Sequence, residues 1–273
     1  MDAEPAHGIH NQDDGRRGAV DALSLMWERI PMLGPVLARM AGLSLSFPLL
    51  GARAVPAYVK IMLVLALSWA LLPILPMSSK VMPLDLASWT ATVVREALFG
   101  LCVGWLAQLV LAAAPLAAQI VGFQMGIGIA NVMDPVGQQQ MSVAAQFMQL
   151  LALWLFLLFD GHHLAVWVLF QNPGQTPLTG ALGLAETVSE FGRNLFNSAL
   201  SLAAPVLLLL LFVQIGLGVL ARMMPQMNIF IVAAPLQIGV GLACMGLGLG
   251  ILGSWSEKGM GWLTEAYRTL MWD

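Results

Sequence analysis

The sequence has few charged residues. Aspartate, glutamate, lysine and arginine make up only 10% of the 273 residues, whereas 59% are hydrophobic and the mean hydropathy is +0.80. A soluble domain of average composition carries roughly 25% charged residues. The chain has too little polar surface to cover a water-soluble globule, so we predict an integral membrane protein. Its formal net charge of −3 leaves no basic surplus for binding nucleic acid.

Cysteines and catalytic motifs are equally scarce. The two cysteines, Cys102 and Cys244, lie far apart in apolar runs, which excludes a CxxC motif and a disulfide framework. The sequence contains neither GxSxG nor GxxxxGK[ST], which excludes the usual anchors of a serine hydrolase and of a phosphate-binding loop. We predict no catalytic residue and no cofactor.

The stretch Asp160-Gly161-His162-His163 offers possible metal ligands. Adjacent histidines on a helix diverge by about 100°, so they do not easily share one ion. A turn at a helix end is the simpler interpretation, and we predict no metal site.

Apolar segments follow a polar N terminus. Residues 1–22 mix charges of both signs and lack the apolar core of a signal peptide, so we predict a mobile tail followed by one helical domain over residues 23–273. Segments near the length needed to span a bilayer predict an all-α, polytopic fold of about six or seven apolar helices. We expect hairpins with kinks and one re-entrant-like loop. The strongest segments are 30–50, 58–76, 86–119, 143–159, 199–221 and 228–253.

Glycines and the C terminus give further expectations. Glycine pairs four residues apart let helix backbones approach closely, although glycine is also simply common in membrane helices. These glycine pairs are Gly100/Gly104, Gly122/Gly126 and Gly246/Gly250.

The C-terminal stretch has apolar residues at i, i+3, i+4 and i+7, which predicts an amphipathic helix lying on a surface or on a partner. These apolar residues are Leu263, Ala266, Tyr267 and Leu270.

Basic residues do not orient the chain in the membrane. No lysine or arginine occurs between Arg95 and Arg193, and basic residues lie at both ends of the second segment. The positive-inside rule therefore leaves the topology undecided.

A polar break, QMGIGIANVMDPVGQQQ (124–140), separates two very apolar segments. An ionised Asp134 in mid-membrane costs roughly 3 kcal/mol on insertion scales. Gly126 and Gly128 disfavour a helix, and the following Pro135 moves residue 134 away from helical geometry. The break cannot face lipid, which leaves an external loop or a re-entrant loop in a protein-lined cavity.

Four motifs together resemble one known family. They are PLLGARAVPAYVK (48–60), GFQMGIGIANVMDP (122–135), LFLLFDGHH (155–163) and ARMMPQMNIFIVAAPLQIGVG (221–241). The second and fourth motifs are the most specific. In this order the motifs are similar to the FliR family of flagellar biosynthesis proteins, called SctT in virulence-type secretion systems, and nearer to its flagellar branch.

The resemblance implies a non-enzymatic core subunit of the flagellar type III protein export gate. Such a subunit lies in the bacterial inner membrane at the flagellar basal body and is needed for export of flagellar subunits. It assembles with FliP and FliQ homologues, and FlhB and FlhA homologues associate with the complex. Unfolded flagellar proteins pass through the centre.

The resemblance also implies two sites. The first is a plug loop in the channel, for which glycines would allow movement and Phe and Met side chains a soft seal. Its residues here are Gly122, Phe123, Met125, Gly126, Gly128, Met133, Asp134, Pro135 and Gln138. The second is a subunit-contact turn formed by Arg222, Pro225 and Gln226. Arg222 has an alternative role as an anchor at a helix C terminus, where a cation is favoured.

A multi-pass solute channel or transporter is the alternative to the export gate. A channel or transporter would also fit the hydropathy and the broken helices. It would be stable and functional without partners and would have a saturable substrate. An intramembrane enzyme would need a nucleophile or metal set that we do not find.

Overall fold

A computed structural model describes residues 32–50, 55–72, 85–127, 141–170, 181–226 and 228–272, without the side chains of residues 181–187, 229, 230 and 272. Every regular element in these ranges is an α-helix, which confirms the predicted all-α class. The predicted tail, residues 1–22, lies outside them. The helices are α1 (Met32–Ser46), α2 (Ala57–Leu71), α3 (Leu86–Gln124), α4 (Val143–Leu158), α5 (Gly161–Phe170), α6 (Ala181–Met223), α7 (Ile229–Leu247) and α8 (Leu249–Trp272).

Two helices are long and apolar enough to cross a membrane. They are α3 and the 188–223 part of α6. Two bent pairs also pass the same test of length and composition: α4 with α5, bent by 59°, and α7 with α8, bent by 53°. The described residues therefore offer two membrane spans, or up to four if each bent pair is one span, and the polytopic membrane architecture is confirmed.

Helix α3 lies at the centre of the core. It packs mainly against α6 and α4, and it also contacts α5 and α8. Small side chains line its buried surface, so neighbouring helices can approach closely. The buried alanines of α3 are Ala107, Ala113, Ala114, Ala117 and Ala118.

The contact between α1 and α3 is made by glycines. A Cβ added at Gly100 would clash with the Arg39 carbonyl oxygen, and one at Gly104 would clash with the Ser46 hydroxyl. Gly42 on α1 would clash in the same way with the backbone of Ala97. The predicted close approach at Gly100 and Gly104 is confirmed. A Cβ at Gly126, Gly246 or Gly250 would meet nothing within 4 Å in the described part of the chain.

Two predicted boundaries were wrong. Helix α6 begins at Ala181 and not near residue 199, because its polar N-terminal part is helical although it is not apolar. The predicted segment 228–253 is broken at Gly248, where α7 ends and α8 begins. Glycine is a poor helix former, and the run Gly246-Leu247-Gly248-Leu249-Gly250 concentrates three of them at the bend.

The C-terminal helix packs within its own chain. Leu263, Ala266, Tyr267 and Leu270 are all buried, which confirms the predicted apolar stripe. The Tyr267 hydroxyl donates a hydrogen bond of 2.9 Å to the carbonyl of Val103 on α3. The stripe therefore holds α8 against the core and is not left for a partner.

A buried ion pair joins three helices near the α1–α3 contact. The Arg39 Nε of α1 donates to Glu96 Oε2 of α3, and both side chains are 2% exposed. Arg39 Nη1 also donates to the carbonyl of Leu169 at the C-terminal end of α5, at 2.7 Å, and its guanidinium lies 4.8 Å from the centroid of the Phe99 ring. A buried charge needs such partners, because leaving one unpaired is costly.

Removing one partner of this pair should destabilise the fold strongly. We expect Glu96→Ala to lower the free energy of unfolding by about 3–5 kcal/mol, because Arg39 would stay buried without its carboxylate. The double variant Arg39→Met/Glu96→Leu should recover most of that loss. Detergent-titrated unfolding, followed by circular dichroism, measures both.

The exposed pair Arg268–Glu265, at 3.8 Å, provides the matched control. Glu265→Ala should change the unfolding midpoint little, since exposed ion pairs contribute little. An unchanged midpoint for Glu96→Ala would contradict a structural role of the buried pair.

Candidate functional site

The predicted plug loop divides into described flanks and an undescribed middle. Gly122, Phe123, Met125 and Gly126 lie in the flank that ends α3. The other predicted residues, Gly128, Met133, Asp134, Pro135 and Gln138, lie outside the described residues. The site that can be built is therefore the base of the loop, residues 119–127 and 141–146, and we call it the loop base.

Helix α3 ends in a Schellman motif. Gly126 has φ +82°, its N–H donates to the carbonyl of Phe123, and the N–H of Ile127 donates to the carbonyl of Gly122. These two bonds satisfy carbonyls that the end of the helix would otherwise leave unpaired. Glycine is required at residue 126 because the left-handed conformation is strained for a residue with a Cβ.

The flank leaving α3 is fixed to α6 and α7. The Met125 side chain is fully buried and lies in the space left by the missing side chain of Gly241 on α7. One residue earlier, Gln124 Nε2 donates to Gln214 Oε1 of α6 at 3.2 Å. The structure thus places Met125 in the chain's own core, whereas Phe123 remains 57% exposed.

The returning flank is fixed to α3. The backbone N–H of Ser142 donates to Gln119 Oε1 at 3.0 Å, and a Cβ at Gly122 would lie 3.2 Å from the Ser142 hydroxyl. Ser142 is also the N-cap of α4, because its hydroxyl accepts from the N–H of Ala145. The two flanks of residues 128–140 therefore meet at one place on α3.

The polar side chains of the loop base are all uncharged: Gln119, Gln124, Ser142 and Gln146. Its side-chain hydrogen bonds come from amides and one hydroxyl, and Gln146 Nε2 adds a bond of 3.2 Å to the carbonyl of Met141. A cavity of about 690 Å³ lies beside the base. Gln108, Gln119, Gln149 and Met141 belong to its lining. Neutral amides can satisfy backbone groups here without burying an ion, which would be costly in a membrane.

The predicted subunit-contact turn joins α6 to α7. Arg222, Pro225 and Gln226 are all exposed, and Arg222 lies in the last turn of α6. The cation is therefore close to the helix carbonyls, and its side chain is accessible from outside. The turn is far along the chain from the loop base, but α6 and α7 also hold Gln214 and Gly241, which contact the loop base.

Asp160, His162 and His163 form a corner between α4 and α5. Asp160 has φ +55°, a conformation that Asp tolerates better than most residues, and its carboxylate is 2.8 Å from His163 Nδ1. The possible metal-ligand atoms of the three residues lie within 4.8 Å of one another. Gly161 packs against the Phe156 ring with no room for a Cβ, so the sharp turn accounts for the Asp-Gly pair.

Sequence reasoning missed the contacts that build the loop base. The partners Gln119, Gln214 and Gly241 lie on three helices, and nothing in the local pattern connects them. The role of Ser142 as an N-cap could have been predicted, since a serine just before an apolar run is typical of a helix start.

The long apolar helices and the bent pairs define a polytopic helical membrane protein. Its apolar helices are interrupted at the loop base, where the polar side chains are uncharged. A sequence model of the bacterial export proteins, family 1, matches residues 30–261. The chain belongs to this family, in its FliR branch, which confirms the resemblance of the four motifs.

Several relatives carry the name flagellar biosynthetic protein FliR. That of Escherichia coli (strain K12) is 36% identical over 214 residues, covering 77% of this chain and 80% of that protein. The Pectobacterium carotovorum protein is 31% identical over 80% of this chain and 84% of its own length. The Caulobacter vibrioides protein is 28% identical, with 82% and 90% covered. The chain is a membrane-embedded component of flagellar protein export, from a family of structural transport components.

Substitution of Gly126 should act through backbone conformation. We expect Gly126→Ala to destabilise the end of α3 by about 1–2 kcal/mol, because φ +82° is left-handed, and Gly126→Asn to cost less. Gly216→Ala is the matched control, since a Cβ at either glycine meets nothing within 4 Å, but Gly216 lies within α6. In thermal unfolding, Gly216→Ala should leave the melting temperature unchanged or raise it. Equal effects of the two alanines would contradict the Schellman assignment.

Proposed function

We propose that the chain is a core subunit of the flagellar type III export gate and that residues 122–141 form its plug loop. The proposal rests chiefly on the loop base. Both flanks of residues 128–140 are held at one place on α3, through Gln119, Gly122 and Ser142. A segment that leaves and returns at one fixed point can move as a unit while its ends stay in place.

The division between base and middle suggests how the loop works. Met125 and Gln124 fix the departing flank to α7 and α6, so we propose that the plug moves only beyond the Schellman motif. We propose that Phe123, Gly128 and Met133 contribute to a soft seal and that Asp134, Pro135 and Gln138 shape its tip. Met-rich contacts adapt to different shapes, which suits a channel that must yield to many unfolded sequences.

The outer surface of the chain supports assembly with other subunits. Only 22% of the most apolar window of α6 is buried, against 56% in α3. Exposed large side chains on α6 and α7 need a lipid or protein environment. They include Leu200, Leu208, Phe212, Ile215, Ile231 and Leu236.

We propose that FliP and FliQ homologues cover much of this surface and that FlhB and FlhA homologues join the complex. The assembled gate would lie in the bacterial inner membrane at the basal body, with residues 23–273 as one domain. Unfolded flagellar proteins would be its cargo.

Shortening the loop should open the channel without preventing assembly. We expect deletion of residues 128–137 to leave the purified complex intact, because the loop base is untouched, and to produce ion conductance in planar bilayers. A Gly/Ser replacement of residues 171–180 at equal length controls for general loop disturbance and should stay closed. An assembled deletion complex that remains tightly sealed would sink the plug assignment.

Charge reversal in the α6–α7 turn tests the predicted subunit contact. We expect Arg222→Glu to reduce co-purification with FliP and FliQ homologues at least several-fold, because charge reversal replaces attraction by repulsion at any acidic group that contacts the exposed turn. Arg268→Glu on α8 is the control, as another exposed arginine. Unchanged recovery with Arg222→Glu would assign Arg222 to anchoring the helix end.

A further inference from the structure

We propose that the cleft between α6 and α8 binds a phospholipid, with the phosphate at its polar end and an acyl chain in its apolar end. This inference is independent of the plug loop. It rests on two neighbouring cavities with opposite chemistry.

The polar end of the cleft is a cavity of about 330 Å³. Among the described residues, Lys258 is the one charged residue in its lining. Hydroxyls, amides and indoles supply the other polar groups, and a phosphate accepts hydrogen bonds from all of these donors. The polar lining residues are Asn194, Asn197, Ser198 and Ser201 from α6, and Ser254, Trp255, Lys258 and Trp262 from α8.

The apolar end is a cavity of about 340 Å³. Within the described ranges, no charged or amide side chain lines it. Its walls come from α3, α4, α6, α7 and α8, and include Ala117, Met148, Val206, Cys244 and Leu252. Each cavity is within the roughly 300–1,000 Å³ typical of small-molecule sites.

The two cavities adjoin each other. Leu202 of α6 and Ile251 of α8 line both of them. Along α6 the lining changes from amides and hydroxyls before Leu202 to apolar side chains after it. Along α8 the lining is apolar up to Leu252 and becomes polar after it. The polar side chains of both helices therefore lie at one end of the cleft, and the apolar side chains lie at the other.

A buried donor without a partner lies in the wall of the polar end. Trp255 is 7% exposed, and its indole N–H has no hydrogen-bond partner among the described residues. Buried indole N–H groups usually find an acceptor, and tryptophan is enriched where membrane meets water. A headgroup oxygen in the adjacent cavity is a candidate acceptor after a small movement of the ring.

The combination favours a phospholipid over a free anion. An inorganic phosphate would use Lys258 and the amides but would leave the apolar cavity empty. A phospholipid would fill both ends, with its headgroup beside the amides and hydroxyls of α6 and its acyl chain beyond the junction at Leu202. A lysine near such a junction attracts anionic lipid headgroups.

Native mass spectrometry of the complex, purified with its co-expressed partners, tests the polar end. Phosphatidylglycerol is titrated into wild type, Lys258→Gln and Arg268→Gln. Both variants remove one positive charge from α8, but only Lys258 lines the cleft. We expect lipid affinity to fall about tenfold in Lys258→Gln, equivalent to about 1.4 kcal/mol, and to be unchanged in Arg268→Gln.

Cys244 reports on the apolar end without a disruptive substitution. In a Cys102→Ala background it is the one remaining cysteine. We expect bound phosphatidylglycerol to slow its alkylation by a maleimide several-fold, and inorganic phosphate at the same concentration to have no effect. Lys258→Gln should weaken this protection.

Three outcomes would overturn the proposal. The first is equal lipid binding by all three proteins. The second is protection of Cys244 by inorganic phosphate alone, which would indicate a free-anion site. The third is cross-linking of a Ser254→Cys variant to a partner subunit in the complex, with no lipid retained, which would show that a protein fills the cleft.

Discussion

The buried Arg39–Glu96 ion pair is the contact on which the arrangement of the core depends. It lies where α1 and α3 touch through glycines, and the same guanidinium binds the last turn of α5. Each charge must keep its partner because an isolated ion in this interior is very unfavourable. The glycine contacts bring the two backbones close, and the ion pair joins them at the same place. Helix α3, held in this way, then positions the loop base at its other end.

The sequence predicted the class of fold well, because hydropathy and the four motifs depend on local residues. The predicted ends of α3 and α4 lie within a few residues of the observed ones. The apolar stripe around Tyr267 was also predicted correctly. The errors arose where a helical segment is not apolar, or where an apolar segment is not one continuous helix. The polar start of α6 is helical without being apolar, and the bend at Gly248 interrupts a segment that is apolar throughout. The buried pair was missed because Arg39 and Glu96 are 57 residues apart in sequence, and the neighbouring Arg95 is the only cation that the local pattern places beside Glu96.

The loop base shows the same limit at the candidate site. Glycine and methionine content suggested a soft, movable stretch, yet the described part is firmly built. Gly126 ends a helix, and Met125 packs against Gly241 on α7. Met125 packs inward because Gly241, over a hundred residues away in the sequence, leaves space for its side chain. No local sequence pattern reveals this contact. A fixed base of this kind is compatible with the proposed plug, whose remaining residues follow residue 127.

The central claim is that the segment beyond this base lies in the path of exported chains. A photo-cross-linking amino acid placed at Asp134, in a complex with an export substrate arrested in transit, tests it most directly. The same probe at Phe212, which is exposed on the outside of α6, serves as the comparison. The account predicts cross-links to the substrate from residue 134 and none from residue 212. Substrate cross-links at residue 212 with none at residue 134 would contradict it.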